Sequence, residues 1–177
     1  MPKVEFMRFF LLIICINFIG CAHNSDEAPS EAELIEYFNQ NQSGLEKLKE
    51  MIAIDSREHD YFEIRDGRIG KYELTEKGWS KSYGQYVPFS VVSGTYLLTS
   101  SRYDEYIQLF KTTKTTAVEY YTGNVSITIF SAGFVFGGCS SEIIFHPEKL
   151  NLSRPSWATT YHQVYFNDNW GGITQCN

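Results

Sequence analysis

Apolar residues recur along this chain with two different periods, and the change of period divides it. Between residues 30 and 54, Leu34, Phe38, Leu45, Leu48 and Ile52 follow one another at steps of three, four and seven. That spacing places them on one face of an α-helix, bordered by Tyr37, Asn41 and Met51. Ser30-Glu31-Ala32-Glu33 reads as a capping box that opens the helix: the Ser30 hydroxyl accepts the Glu33 amide, and the Glu33 carboxylate reaches back. Gly44 is expected to weaken the middle by about 1 kcal/mol relative to Ala. Lys47 and Lys49 are expected towards the C-terminal end, where the helix dipole favours cations. A second helix is predicted over Arg102–Thr112, with Tyr103, Tyr106, Ile107 and Phe110 at helical spacing, Ser101 as N-cap, and Asp104-Glu105 in the first turn.

Elsewhere the pattern is that of strands. Tyr61–Ile64 and Arg68–Leu74 flank Asp66-Gly67, a strong hairpin signal. Residues 75–90 carry Gly78, Gly84 and Pro88 and little periodicity. Val91–Thr99, rich in β-branched and aromatic residues, reads as strand. Ala117–Tyr121, a turn at Gly123-Asn124, the alternating Val125–Phe130, then Glu142–Phe145 and Tyr161–Phe166 complete the β segments, with Trp170 starting a short tail. Short separations between these runs favour an antiparallel meander, because parallel neighbours need a long crossover. The expected fold is α+β: a long N-terminal helix and a second, shorter helix packed on an antiparallel sheet made by the C-terminal meander, all within one domain over 30–177.

The first two dozen residues follow neither pattern. Lys3 and Arg8 precede the apolar run Phe9–Ile19, which Asn17 interrupts. A spanning helix needs about 20 apolar residues, so this run has the dimensions of a signal-peptide core. It ends in Phe18-Ile19-Gly20-Cys21, which resembles the lipobox of bacterial lipoproteins. Gly20 and Cys21 match that motif; Phe18 departs from the family's usual Leu. The resemblance implies a signal peptide over 1–20, removed before Cys21, and lipidation of the Cys21 thiol. It also implies a tether over 21–29 and attachment to the cell envelope through the anchor, by two or more acyl chains as a stable hold requires. His23 is not the family's inner-membrane retention residue, so the outer membrane is the expected location, on its periplasmic or surface side. The helix carrying Leu45-Glu46-Lys47-Leu48, the segment Arg102–Tyr106 and the pair Asn169-Trp170 loosely resemble small Gram-negative lipoproteins to which no activity attaches, so no functional residue carries over.

Charge narrows the partners. The chain has 15 basic and 21 acidic residues, a net charge of −6; losing Lys3, Arg8 and Glu5 with the leader makes it −7. Nucleic acid is not expected as a partner, because neutralising phosphates dominates that affinity. A basic protein partner suits the charge. The aromatic content of 16% suits cross-strand pairs in a β-rich core, with a glycan- or lipid-binding surface built on Tyr, Phe and Trp157 or Trp170 as an alternative.

Candidate chemistry is sparse. Cys15 leaves with the leader, so Cys139 and Cys176 form a candidate disulfide in an oxidising compartment, although spacing alone does not bring their Cβ atoms together. Cys139, after Gly137-Gly138, is also the least poor nucleophile for a cysteine-dependent hydrolase, with His146, His162 and Asp168 to supply a base and an orienter. The four histidines, at 23, 59, 146 and 162, lie in no HExxH or CxxC context. Glu58-His59-Asp60 reads as a solvated loop cluster, and Asp168 lacks the ligand ladder of a calcium loop. Gly133–Gly138 has neither the Walker nor the dinucleotide spacing and reads as a turn. Glu119 and Glu142 could share a sheet face, but sequence does not fix their separation. No catalytic residue, metal or cofactor is assigned. The expected function is a non-enzymatic envelope lipoprotein that binds protein, in its sharper form an immunity lipoprotein that neutralises a secreted envelope-targeting effector.

Overall fold

The computed structural model describes residues 27–81, 85–133 and 137–177. Cys21, the leader and most of the tether lie outside them. The fold is mixed α+β. Among the described residues three helices, α1 (Glu31–Asp55), α2 (Phe89–Tyr96) and α3 (Ser100–Thr113), accompany ten strands. The strands are β1 (Tyr61–Arg65), β2 (Arg68–Ile69), β3 (Tyr72–Thr75), β4 (Gly78–Ser80), β5 (Tyr86–Val87), β6 (Ala117–Tyr121), β7 (Asn124–Ala132), β8 (Cys139–Phe145), β9 (Thr160–Tyr165) and β10 (Trp170–Cys176). They form one sheet in the order β5-β4-β3-β2-β1-β6-β7-β8-β10-β9, with every pair antiparallel.

The sheet is therefore not a C-terminal meander. Half of its strands precede α2, and the last strand is interior, inserted between β8 and β9. The segment after Asn169, expected as a tail, is a seven-residue strand whose first five residues are buried. Its composition, Gly171-Gly172 with Thr174 and Gln175, hides the alternation that marks a strand.

Helix α1 begins with both halves of the capping box: the Glu33 amide donates to Ser30 Oγ and the Glu33 carboxylate accepts from the Ser30 amide at 2.8 Å. Its stripe, Leu34, Phe38, Leu45, Leu48, Met51 and Ile52, is buried. Opposite lie Phe62 and Ile64 of β1, Val118 of β6, Val125 and Ile127 of β7, Ile143 of β8 and Trp170 of β10. Lys47 and Lys49 do not complement a terminal dipole, since the last turn holds no basic residue. Lys47 pairs with Glu105 of α3 at 2.8 Å, and Lys49 pairs with Glu46 and lies over the Phe145 ring. Gly44 also has a role the sequence hid. A Cβ there would meet Thr113 Cγ2 at 2.4 Å, so the glycine lets the end of α3 close onto α1.

Residues Val91–Thr99 do not form a strand. Pro88 enters extended, α2 follows, and Val92 and Tyr96 bury one turn apart before Leu97 ends the helix at φ 52°. Two anchors at helical spacing outweigh the β-branched composition. Helix α3 starts two residues earlier than expected. Thr99 caps it, accepting from the Arg102 amide at 3.1 Å, and no acidic residue stands in its first turn. The returning arm of the first hairpin splits into β2 and β3 at Gly70, where φ is +52° and a Cβ would collide with Tyr96 Oη.

Candidate functional site

The helices cover one face of the sheet, and alternation sends every second side chain to the other. On β1 that puts Tyr61, Glu63 and Arg65 on the far face, back to back with Phe62 and Ile64. Register carries the row across the sheet: Glu63 faces Glu119, and Glu119 faces Ser126. Next to Ser126, on β8, stands Glu142, which faces Thr128. Three carboxylates from distant parts of the chain thus line the open face.

Each is held differently. Glu142 accepts from Ser126 Oγ at 2.6 Å, Ser140 Oγ at 3.2 Å and Gln175 Nε2 at 3.4 Å, so both its oxygens are fixed. Glu63 is only 5% exposed and ion-pairs with Arg65. Glu119 has the weakest compensation: Arg65 Nη2 stands 3.9 Å away, and the Tyr61 hydroxyl donates to it at 3.5 Å. Burial, reinforced by the charges of Glu63 and Glu142, pushes the Glu119 carboxyl above its ordinary range. The same hydroxyl donates to Glu63 Oε2 at 3.3 Å, and burial beside the two glutamates raises the Tyr61 phenol as well. Beside this acidic row Tyr61 and Tyr121 pair directly and are 50% and 60% exposed. Among the described residues one cation, Arg65, stands with three carboxylates next to two open aromatic rings, a surface that attracts a cationic group and can stack on it. No three His, Cys, Asp or Glu side chains converge as metal ligands would among the described residues.

The residues singled out from sequence lie elsewhere. Cys139 and Cys176 face each other across β8 and β10 and are bonded, with their Cα atoms 4.1 Å apart. Cys139 therefore holds no thiol in this structure, and its proposed partners are not gathered around it. His146 Nδ1 accepts from the Glu148 amide, His162 of β9 faces Thr174 of β10, and Asp168 sits in the β9–β10 turn. His59 is not a loosely solvated loop residue; it stacks on Phe62 and meets the edge of Tyr96. Trp170 is buried and donates its indole N–H to Glu46 Oε1 at 2.9 Å, which removes it as a ligand platform, whereas Trp157 is 54% exposed. Glu63 went unremarked in the sequence, and only its strand position, between two buried apolar residues, hinted at the open face.

No protein-family model matches the chain, and neither a curated protein nor a solved structure does. Among the described residues no helix is long and apolar enough to cross a membrane.

Proposed function

We propose that this chain is a lipid-anchored envelope protein, held at Cys21 and favouring the outer membrane, that binds a basic protein through the open face of its sheet. The observation that supports it most directly is the under-compensated Glu119 carboxylate, standing between Glu63 and Glu142. A lysine or arginine from a partner relieves the repulsion that raises Glu119, and Tyr61 and Tyr121 supply the aromatic contact area that interface centres favour. The net charge of −7 after loss of the leader speeds encounter with such a partner. In the sharper form of this reading the partner is a secreted effector that attacks the envelope, and the tether raises the inhibitor's local concentration where that effector arrives.

The test is an in-cell crosslink and pull-down of the tagged full chain, run beside Glu119→Gln and Tyr121→Ala. One stoichiometric basic partner, lost with both substitutions while neither variant melts appreciably below wild type, is the expected result. Partner capture that ignores both, or Tyr121-dependent retention on peptidoglycan fragments with no protein partner, overturns it. Cys21→Ser tests the anchor separately: it should release the protein from membranes and abolish acyl labelling.

A further inference from the structure

The two edges of the sheet differ. At one end β5 is two residues long and runs into Pro88. At the other, β9 has six residues, Thr160–Tyr165, in unbroken register with β10. Proteins blunt such edges with charges, proline, bulges, short strands or a covering loop; β9 carries none of the first four, and the loop before it reaches the strand through the Leu152 amide, which donates to Tyr165 Oη at 3.1 Å. Its sequence is Thr-Tyr-His-Gln-Val-Tyr, and four of the six residues are exposed.

The ladder tells which backbone groups are free. The Phe166 amide donates to the Trp170 carbonyl at 2.9 Å, so this pair is a bonded one. Bonded and non-bonded pairs alternate along an antiparallel ladder. The bonded positions of β9 are therefore Val164 and His162, and Tyr161, Gln163 and Tyr165 point their N–H and C=O groups outwards. Among the described residues none of these three takes a backbone partner beyond the sheet ladder.

We propose that β9 pairs with β9 of a second copy of this chain, antiparallel about a twofold axis at Gln163. Two features favour a second copy over another strand. First, the register is self-complementary. Gln163 meets its own equivalent as a bonded pair, and Tyr161 meets Tyr165 on either side, so every outward group on these residues is used. Aromatic pairs of this kind stabilise a sheet. Second, no charged side chain stands on β9, so like charges do not oppose the pairing even though the chain is acidic. Because the β5 edge is short and ends in proline, the contact closes as a dimer and does not propagate.

The proposal is independent of the open-face reading, and its test separates the two. Sedimentation of the purified full chain should give twice the chain mass. Gln163→Pro removes an outward N–H without touching the β10 ladder, the position at which an edge strand tolerates proline. It should weaken the dimer about tenfold or more, with secondary structure unchanged by circular dichroism. Glu119→Gln and Tyr121→Ala should leave the dimer intact. In cells, Gln163→Cys should give a covalent dimer on non-reducing gels, since bonded pairs place Cα atoms about 5.5 Å apart. Tyr161→Cys should give none, its equivalent being about 13 Å away along the strand. A monomeric wild type overturns the proposal, as does equal trapping by the two cysteine variants or capture of a foreign strand at β9 by an otherwise monomeric chain.

Discussion

Tyr106 donates its hydroxyl to Asp55 Oδ2 at 2.7 Å, tying the middle of α3 to the last residue of α1. Arg102 Nε donates to the same oxygen at 2.8 Å, so a single carboxylate oxygen holds both groups. Tyr106 is fully buried, and burial together with Asp55 pushes its phenol far above the ordinary range, so the hydroxyl stays a donor. Tyr106→Phe should cost about 1.5–3 kcal/mol, the worth of a hydrogen bond to a charged group. Urea unfolding should show a lower midpoint at unchanged slope; a wild-type midpoint would mean that Arg102 alone holds the helix end.

Gly44→Ala tests the helix crossing. In an isolated helix the change is favourable by about 1 kcal/mol. Here the new methyl meets Thr113 Cγ2, whose residue is 2% exposed. A net loss of about 1–3 kcal/mol is expected, and Thr113→Ser in the same chain, which deletes the opposing methyl, should recover most of it. Stabilisation by Gly44→Ala alone would show that the helices part at no cost.

Glu119 makes stability depend on pH. Its carboxyl is raised in the folded state by burial and by Glu63 and Glu142, against the opposing pull of Arg65. A raised acid favours the fold fully below its unfolded pKa, and that contribution is lost as pH rises through the folded one. Glu119→Gln should therefore melt higher than wild type at neutral pH, and the gap should close as pH falls into the carboxylate range. A gap that is constant with pH would place the effect in packing instead of charge.

The Cys139–Cys176 bond closes a separation of 37 residues. On the chain-entropy account its removal costs about 3–4 kcal/mol. Comparing thermal melts of the native protein with those of the Cys139→Ser/Cys176→Ser double variant checks this, and a mass gain of two protons on reduction reports the bond itself. Equal melting would show that the neighbouring strands already hold the C-terminus.

What could be read from the sequence depended on whether a signal was local. The Ser30–Glu33 box and the stripe from Leu34 to Ile52 lie within one element, and α1 follows them closely. Asp66-Gly67 likewise marked its own turn. Val91–Thr99 misled because composition spoke for a strand while the burial of Val92 and Tyr96, decided by Phe62 and Tyr72 from other strands, spoke for a helix. Strand β10 was invisible because glycine and threonine show no alternation, and its place in the sheet is decided by β8 and β9. The open face was least legible. Glu63, Glu119 and Glu142 lie far apart in sequence, and only the register of β1, β6, β7 and β8 brings them into one row.

The position of β10 has a consequence for biogenesis. The tenth strand fills an interior lane of the sheet, and Thr174 reaches the residues just before α1 through its bond to the Pro29 carbonyl at 2.9 Å. As the polypeptide emerges from N- to C-terminus, β9 leaves before its sheet neighbour β10 exists. The sheet beyond β8 and the seat of α1 on β10 therefore wait for β10, and oxidation of Cys176 marks the moment of its arrival. A nascent chain stalled a few residues short would expose the underside of α1 and an unpaired β9, the state in which a chaperone has something to hold.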